Sequence, residues 1–386
     1  MALQFIFGSS GSGKSTYLYQ KIVEESMKNP KQNYLILVPE QFTMQTQKEL
    51  ISLHPKHAIM NIDVLSFNRL AFRVFDELGK TDFVVLEETG KNLVLRKVAG
   101  EKQKELKVLG GNLKKMGYIG ELKSLISEFM QYNVTPEMIE TVSEKETSSF
   151  SYKMQDVVTM YQGFLDYLSD TYITTEEILD LLADLAGESA LLKDSTLVFD
   201  GFTGFTPIQN KLLRVLFPLV KDIYVTVTID DRENFYENPQ IQDLFFMSKK
   251  MIRELLTIAE ECDTEINEPI VQREGNKKRF LHAEALYHLE QNLFRNTYKR
   301  YRKEQDSIRI LTLKNPKEEL LFAAGEIRRL VREEGYRYRD FAIVSGAEET
   351  YANYAKEIFD TYEIPIFMDQ TKGVLFHPFT ELIRAA

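Results

Sequence analysis

The chain has 386 residues, too many for one ordinary domain, and its 44% apolar content is enough for two or three sizeable cores. A net charge of −10 is not that of a simple nucleic-acid sponge, although a basic channel can sit on an acidic molecule. No apolar run is long enough to span a bilayer, no basic region opens the chain, and Cys262 is the single cysteine, which argues against a membrane anchor, a signal peptide, a disulfide framework and a multi-cysteine metal site. The expected setting is reducing and cytoplasmic.

The first ninety residues read as α/β. Gln4 to Phe7 is a short apolar strand, followed by a glycine-rich turn and a helical stretch to about Met27. Tyr34 to Val38 is a continuous apolar run closed by Pro39, the pattern of a strand buried on both faces. Asp63-Val64-Leu65 is a weaker strand, and Phe67 to Leu78 is helix-like. From about Val85 to Leu192 the period is helical throughout, with Leu122, Leu125, Ile126, Phe129 and Met130 on one stripe. In that block Thr135-Pro136 reads as a cap followed by proline at the first helical position, and Thr174 with Glu177 reads as a capping box. The whole block reads as one all-helical insertion.

Alternation of strand and helix then returns. Thr196 to Phe199 runs into Asp200, Ile208 to Phe217 is helical, and Ile223 to Ile229 is a strand. Helices are expected near Gln242–Cys262 and Leu281–Phe294. Arg295 to Asp306 interleaves basic and aromatic residues, as a solvated linker or a strand-binding segment would. Beyond it, strands at Ile308–Leu313, Phe341–Val344 and Ile364–Met368 are expected to alternate with helices at Pro316–Glu334 and Tyr351–Tyr362. The closing helical segment leaves that sheet incomplete, so a longer parent chain is expected. The five histidines form no metal-ligand set and read as structural.

Gly8-Ser9-Ser10-Gly11-Ser12-Gly13-Lys14-Ser15, continued by Thr16, matches the phosphate-loop pattern in its proper context, after a strand and opening a helix. Glycines let successive backbone N–H groups point at phosphate oxygens, helped by the helix N-terminus. Lys14 would reach the β/γ-phosphates of ATP, and the Ser15 hydroxyl would take a magnesium position. The metal also needs a carboxylate at the end of a buried strand. Asp200 is the candidate, against the plainer reading of an aspartate that starts a turn.

The order of these pieces resembles superfamily 1 helicases. Active relatives carry a pattern like V-D-E-F-Q-N-T-N-x-I-Q where this chain has Phe199-Asp200-Gly201-Phe202-Thr203-Gly204-Phe205-Thr206-Pro207-Ile208-Gln209. The family's water-activating glutamate is Gly201 here, and its glutamine near the γ-phosphate is Thr203. The segment that couples ATP to DNA is replaced by Thr228-Ile229-Asp230-Asp231-Arg232-Glu233, and an arginine common after the Ala-Ile strand is Gly346. Loss of a base and a γ-phosphate sensor lowers hydrolysis by orders of magnitude while leaving the phosphate cradle. No catalytic residue is therefore assigned.

That degenerate pattern, with Leu37-Val38-Pro39-Glu40-Gln41-Phe42-Thr43, Val64-Leu65-Ser66-Phe67-Asn68-Arg69-Leu70-Ala71, Tyr336 to Ile343 and Glu363 to Asp369, resembles the N-terminal part of the B subunit of AddAB-type helicase–nucleases. The resemblance implies a RecA-like P-loop domain from residues 1–84 and 193–294, a helical insertion at 85–192, a linker at 295–306 and the start of a second RecA-like α/β domain at 307–386. It implies an inactive helicase core, partnered by an AddA-type motor subunit, that guides single-stranded DNA and scans it for the Chi signal. The family's nuclease and iron–sulfur cysteines lie outside such a region. By position, the Chi-reading patch carries over to Gln41, Thr43, Phe67, Arg69, Phe72 and Phe202, Phe72 standing where the family has tryptophan. Aromatic faces stack bases, Gln and Thr bond to base edges, and Arg pairs with phosphate or guanine. The plainer reading makes the phenylalanines core, Gln41 and Thr43 a turn and cap, and Arg69 a surface ion-pair partner. The competing functions are a working superfamily 1 motor and a P-loop small-molecule kinase.

Overall fold

The structure, a computed structural model, describes residues 2–80, 84–111, 117–143, 149–168, 172–273, 279–295, 298–368 and 377–385. It is α/β, and contacts divide it into two compact units, Met1–Tyr301 and Arg302–Ala386.

The first unit is built on a seven-stranded parallel sheet. Its strands are β1 (Ala2–Gly8), β2 (Tyr34–Leu37), β3 (Ile62–Leu65), β6 (Thr196–Phe199), β7 (Asp222–Thr228), β8 (Glu265–Ile266) and β9 (Ile270–Val271), in the order β3-β2-β6-β7-β1, with β8 and β9 both beside β1. Side chains of a strand alternate between faces, so each apolar run feeds two cores. Leu3, Phe5, Phe7, Leu35, Leu37, Leu197 and Phe199 enter one core. There they meet α3 (Phe67–Leu78), α8 (Ile178–Leu185), α9 (Pro207–Leu216) and α10 (Phe246–Glu261). Ile6, Tyr34, Ile36, Val38 and Val198 enter the other, under α1 (Lys14–Lys28) and α2 (Thr43–Leu53). The two-residue strands β8 and β9 had no periodic signal to betray them.

The insertion has a core of its own. Leu95, Ile126, Ile139, Met160 and Phe164 join α4 (Glu88–Lys102), α5 (Tyr118–Gln131), α6 (Pro136–Ser143) and α7 (Ser149–Leu168). It is not helical throughout: β4 (Val84–Leu86) pairs with β5 (Tyr172–Thr174) in a separate parallel ladder. The β-branched and aromatic residues Val84, Val85, Tyr172, Ile173 and Thr174 favour a pleated surface and close the insertion where its two ends meet. The capping box forms as a reciprocal pair, the Glu177 carboxylate accepting from Thr174 N at 2.7 Å and Thr174 Oγ1 accepting from Glu177 N at 3.3 Å. The helix that follows, α8, packs into the sheet's core beside Leu197 and Leu212 and not into the insertion's.

α11 (Glu284–Asn292) lies near the end of the first unit. In the second unit, α12 (Pro316–Glu333) and α13 (Glu348–Thr361) pack through Leu320, Ala324, Ile327, Ala355, Ile358 and Phe359, and α14 (Pro378–Ala385) follows. The three expected strands of this unit are a correction: Ile308–Leu313, Phe341–Val344 and Ile364–Met368 form no ladder among the described residues. A strand exists through its partner's hydrogen bonds, and Ile310, Val344 and Phe367 are each more than 90% exposed, with no neighbouring strand among the described residues to cover them. Among the described residues no helix is long and apolar enough to cross a membrane.

Candidate nucleotide site and the adjoining sheet edge

The C-terminal ends of the parallel strands share one edge, where ligands of open α/β sheets bind. β1 ends at Gly8, which pairs with Thr228 of β7, and Ile229 N donates to the Gly8 carbonyl at 3.1 Å. The loop then turns through Gly11 (φ 74°) and Gly13 (φ 92°), left-handed conformations that favour glycine, and Gly13 delivers the chain to the N-terminus of α1. At Gly8 a Cβ would fall 2.4 Å from Ser12 Oγ, so any side chain would collide with the turn. Ser9 and Ser12 are buried, whereas Ser10 and Thr16 are exposed.

Lys14 is buried, and its Nζ donates to the carbonyls of Gly8 and Ser9, both at 2.9 Å. Burial pulls its ammonium down to about 8, and the negative charge of Asp200 opposes that only in part. Ser12 Oγ is buried with no hydrogen-bond partner among the described residues. A desolvated cation and an orphaned hydroxyl in a glycine-walled turn fit a phosphate group, whose oxygens accept from both.

Asp200 follows β6, and its backbone N–H donates to Leu37 O at 3.0 Å. Its buried carboxylate accepts from Ser15 Oγ at 3.0 Å, so the two residues expected at a magnesium position do meet. A hydroxyl and a carboxylate are oxygen donors of the type that magnesium takes, but here the two are bonded to one another. Two further hydroxyls converge on Asp200: Tyr19 OH at 2.5 Å and Thr226 Oγ1. Sequence reasoning missed both, although Tyr19 lies one helical turn after Ser15 on the same face of α1. Arg279, which donates to Ser10 O at 2.9 Å and lies against Gly11, was also missed, being 269 positions from Ser10 in the chain.

Gly201, the residue after Asp200, has φ 79°. Beyond it, Asp230 is buried and paired with Arg232 and Arg295. Burial works to raise the Asp230 carboxyl, but hydrogen bonds from Arg232 and the charge of Arg295 outweigh it and hold it at about 2.

The residues assigned to the DNA patch follow β2, β3 and β6, three adjacent strands, on the same edge. Gln41 is exposed, and Thr43 is buried with its hydroxyl donating to Glu40 O at 3.0 Å. Ser66 caps α3, accepting from Arg69 N. Phe67 is buried, its ring 6.0 Å from Phe199, 5.6 Å from the half-buried Phe202 and 6.1 Å from Phe205. Arg69 is exposed and lies 3.8 Å from the Glu40 carboxylate. Phe72 is 40% exposed with its edge against Phe75. The fold thus brings Phe67 and Phe202 together and sets Arg69 beside the segment carrying Gln41, while Phe72 sits farther along α3.

The family profile described as "ADDB, N-terminal" matches residues 5–290 of this chain. The chain belongs to that family. The B subunit of an ATP-dependent helicase/deoxyribonuclease from Lachnoclostridium phytofermentans is 46% identical over 391 residues, covering all of this chain and 34% of that protein. Proteins of the same name from Clostridium tetani and Alkaliphilus oremlandii are 34% and 32% identical, covering 96% and 100% of this chain. The chain spans about a third of the length of these curated relatives, which also cover the residues beyond the family match.

Proposed function

We propose that this chain is the N-terminal, nucleotide-holding and strand-guiding region of the B subunit of an AddAB-type helicase/deoxyribonuclease acting in recombinational repair. It would bind ATP with magnesium without turning it over, and work beside an AddA-type motor subunit. The observation that carries this reading is a contrast within one site. The cradle is complete, with Lys14 buried over the loop and Ser15 bonded to Asp200, but the residue after Asp200 is a glycine in a left-handed conformation. A carboxylate base cannot be supplied from that position, so the site retains binding groups without an activated water.

The same reading gives the sheet edge to single-stranded DNA and to Chi scanning. Gln41, Arg69, Phe72 and the open side of Phe202 are the groups a strand would touch. Thr43 and Phe67, being buried, support them: Thr43 ties the turn that carries Gln41, and Phe67 backs the Phe202 ring. Base–aromatic stacking contributes about 1–3 kcal/mol per base.

The test is nucleotide binding and hydrolysis by the purified chain, with and without single-stranded DNA. Expected are saturable ATP binding abolished by Lys14→Ala and no DNA-stimulated hydrolysis. Steady turnover that Lys14→Ala removes would identify a working motor instead, and phosphorylation of a metabolite without DNA binding would identify a kinase.

A further inference from the structure

We propose that Tyr19 is a positioning residue that locks Asp200 into a clamp of hydroxyl groups, so that a nucleoside triphosphate binds this loop with little dependence on magnesium. The inference rests on the nucleotide reading above and concerns what the metal adds to it. Four hydroxyls on three elements form the clamp. From α1 come Ser15 Oγ, 3.0 Å from Oδ1, and Tyr19 OH, 2.5 Å from Oδ2. From β7 comes Thr226 Oγ1, donating to Oδ1. From α2, Thr46 Oγ1 lies 3.3 Å from Tyr19 OH and fixes that hydroxyl from behind.

A carboxylate offers about four lone-pair positions. Here Oδ1 takes two donors and Oδ2 a third, which leaves one. The group is also walled in: Asp200 is 7% exposed, Tyr19 2%, Thr226 4% and Thr46 5%. Magnesium demands near-octahedral geometry and keeps several waters, each needing room and an acceptor. The one position left is enclosed with the rest of the group, so seating the hydrated ion on Asp200 means pushing aside a buried hydroxyl, which carries the penalty of an unsatisfied buried polar group. Lys14, meanwhile, already places a buried positive charge against the loop.

The experiment is titration calorimetry of the purified chain with ATP, in magnesium and in EDTA. The wild-type affinity should differ by less than about threefold between the two media, whereas Tyr19→Phe, which keeps the ring and frees Oδ2, should bind about tenfold or more tightly with magnesium than without. Thr226→Val frees a position on Oδ1 and gives the same readout should the first variant fold poorly. A merely structural Tyr19 would change stability but not the ratio between media. A wild-type affinity that collapses in EDTA overturns the inference while leaving nucleotide binding intact, as do variants whose ratio stays at the wild-type value. Absence of binding in both media overturns the parent reading and this inference with it.

Discussion

Placing a glutamate at Gly201 should destabilise the protein without conferring hydrolysis. Gly201 has φ 79°, and the nearest atom to a Cβ placed there is Pro39 Cδ at 3.7 Å, an ordinary van der Waals contact. The penalty therefore comes from backbone conformation and not from collision. A left-handed conformation costs an L-residue about 1–2 kcal/mol, and asparagine, whose short side chain bonds locally, is penalised least. Gly201→Ala and Gly201→Glu should thus lose about the same 1–2 kcal/mol in urea unfolding, with Gly201→Asn close to wild type. On the proposed reading Gly201→Glu should show no ATP turnover, since Thr203 offers no side-chain amide to a γ-phosphate and the new carboxylate would strain or move the turn. The reasoning fails if Gly201→Ala unfolds at the wild-type midpoint, or if Gly201→Glu hydrolyses ATP steadily.

Two other outcomes follow from the site. Lys14 titrates near 8 in the free fold, below its ordinary value, so its desolvation penalty is fully present below that pH and is relieved as pH rises toward the unfolded value. A bound triphosphate favours the charged form, so ATP affinity should be level up to about pH 8 and then fall by up to about tenfold per unit; a level profile through that range, read by calorimetry, would exclude a buried Lys14 as the phosphate cation. At the sheet edge, Phe67→Ala should lose about 3–5 kcal/mol of stability as a buried aromatic, whereas Phe72→Ala should cost well under that and act on single-stranded DNA binding. Equal stability losses in chemical denaturation would contradict their different burial.

Much of the site was legible because phosphate loops are local. Gly8 to Thr16 is one stretch between a strand and a helix, and the turn needs glycine at positions that sequence spacing displays. The pairing of Asp200 with Ser15 was also anticipated, since a carboxylate at the end of a buried strand is a recognisable pattern. The patch was carried over by position from the family resemblance, and position in a motif does not report exposure: Phe67 and Phe72 lie on one helix, yet one ring is in the core and the other reaches solvent.

From sequence alone, then, came the alternation of strand and helix in the first unit and the phosphate loop, both carried by short runs whose periodicity or spacing has a local cause. The hydroxyl clamp on Asp200, the seat of Arg279 on the loop and the closing ladder between Val84–Leu86 and Tyr172–Thr174 were decided by tertiary structure. They join residues dozens to hundreds of positions apart, and a parallel sheet sets such neighbours through its strand order, which no local propensity encodes.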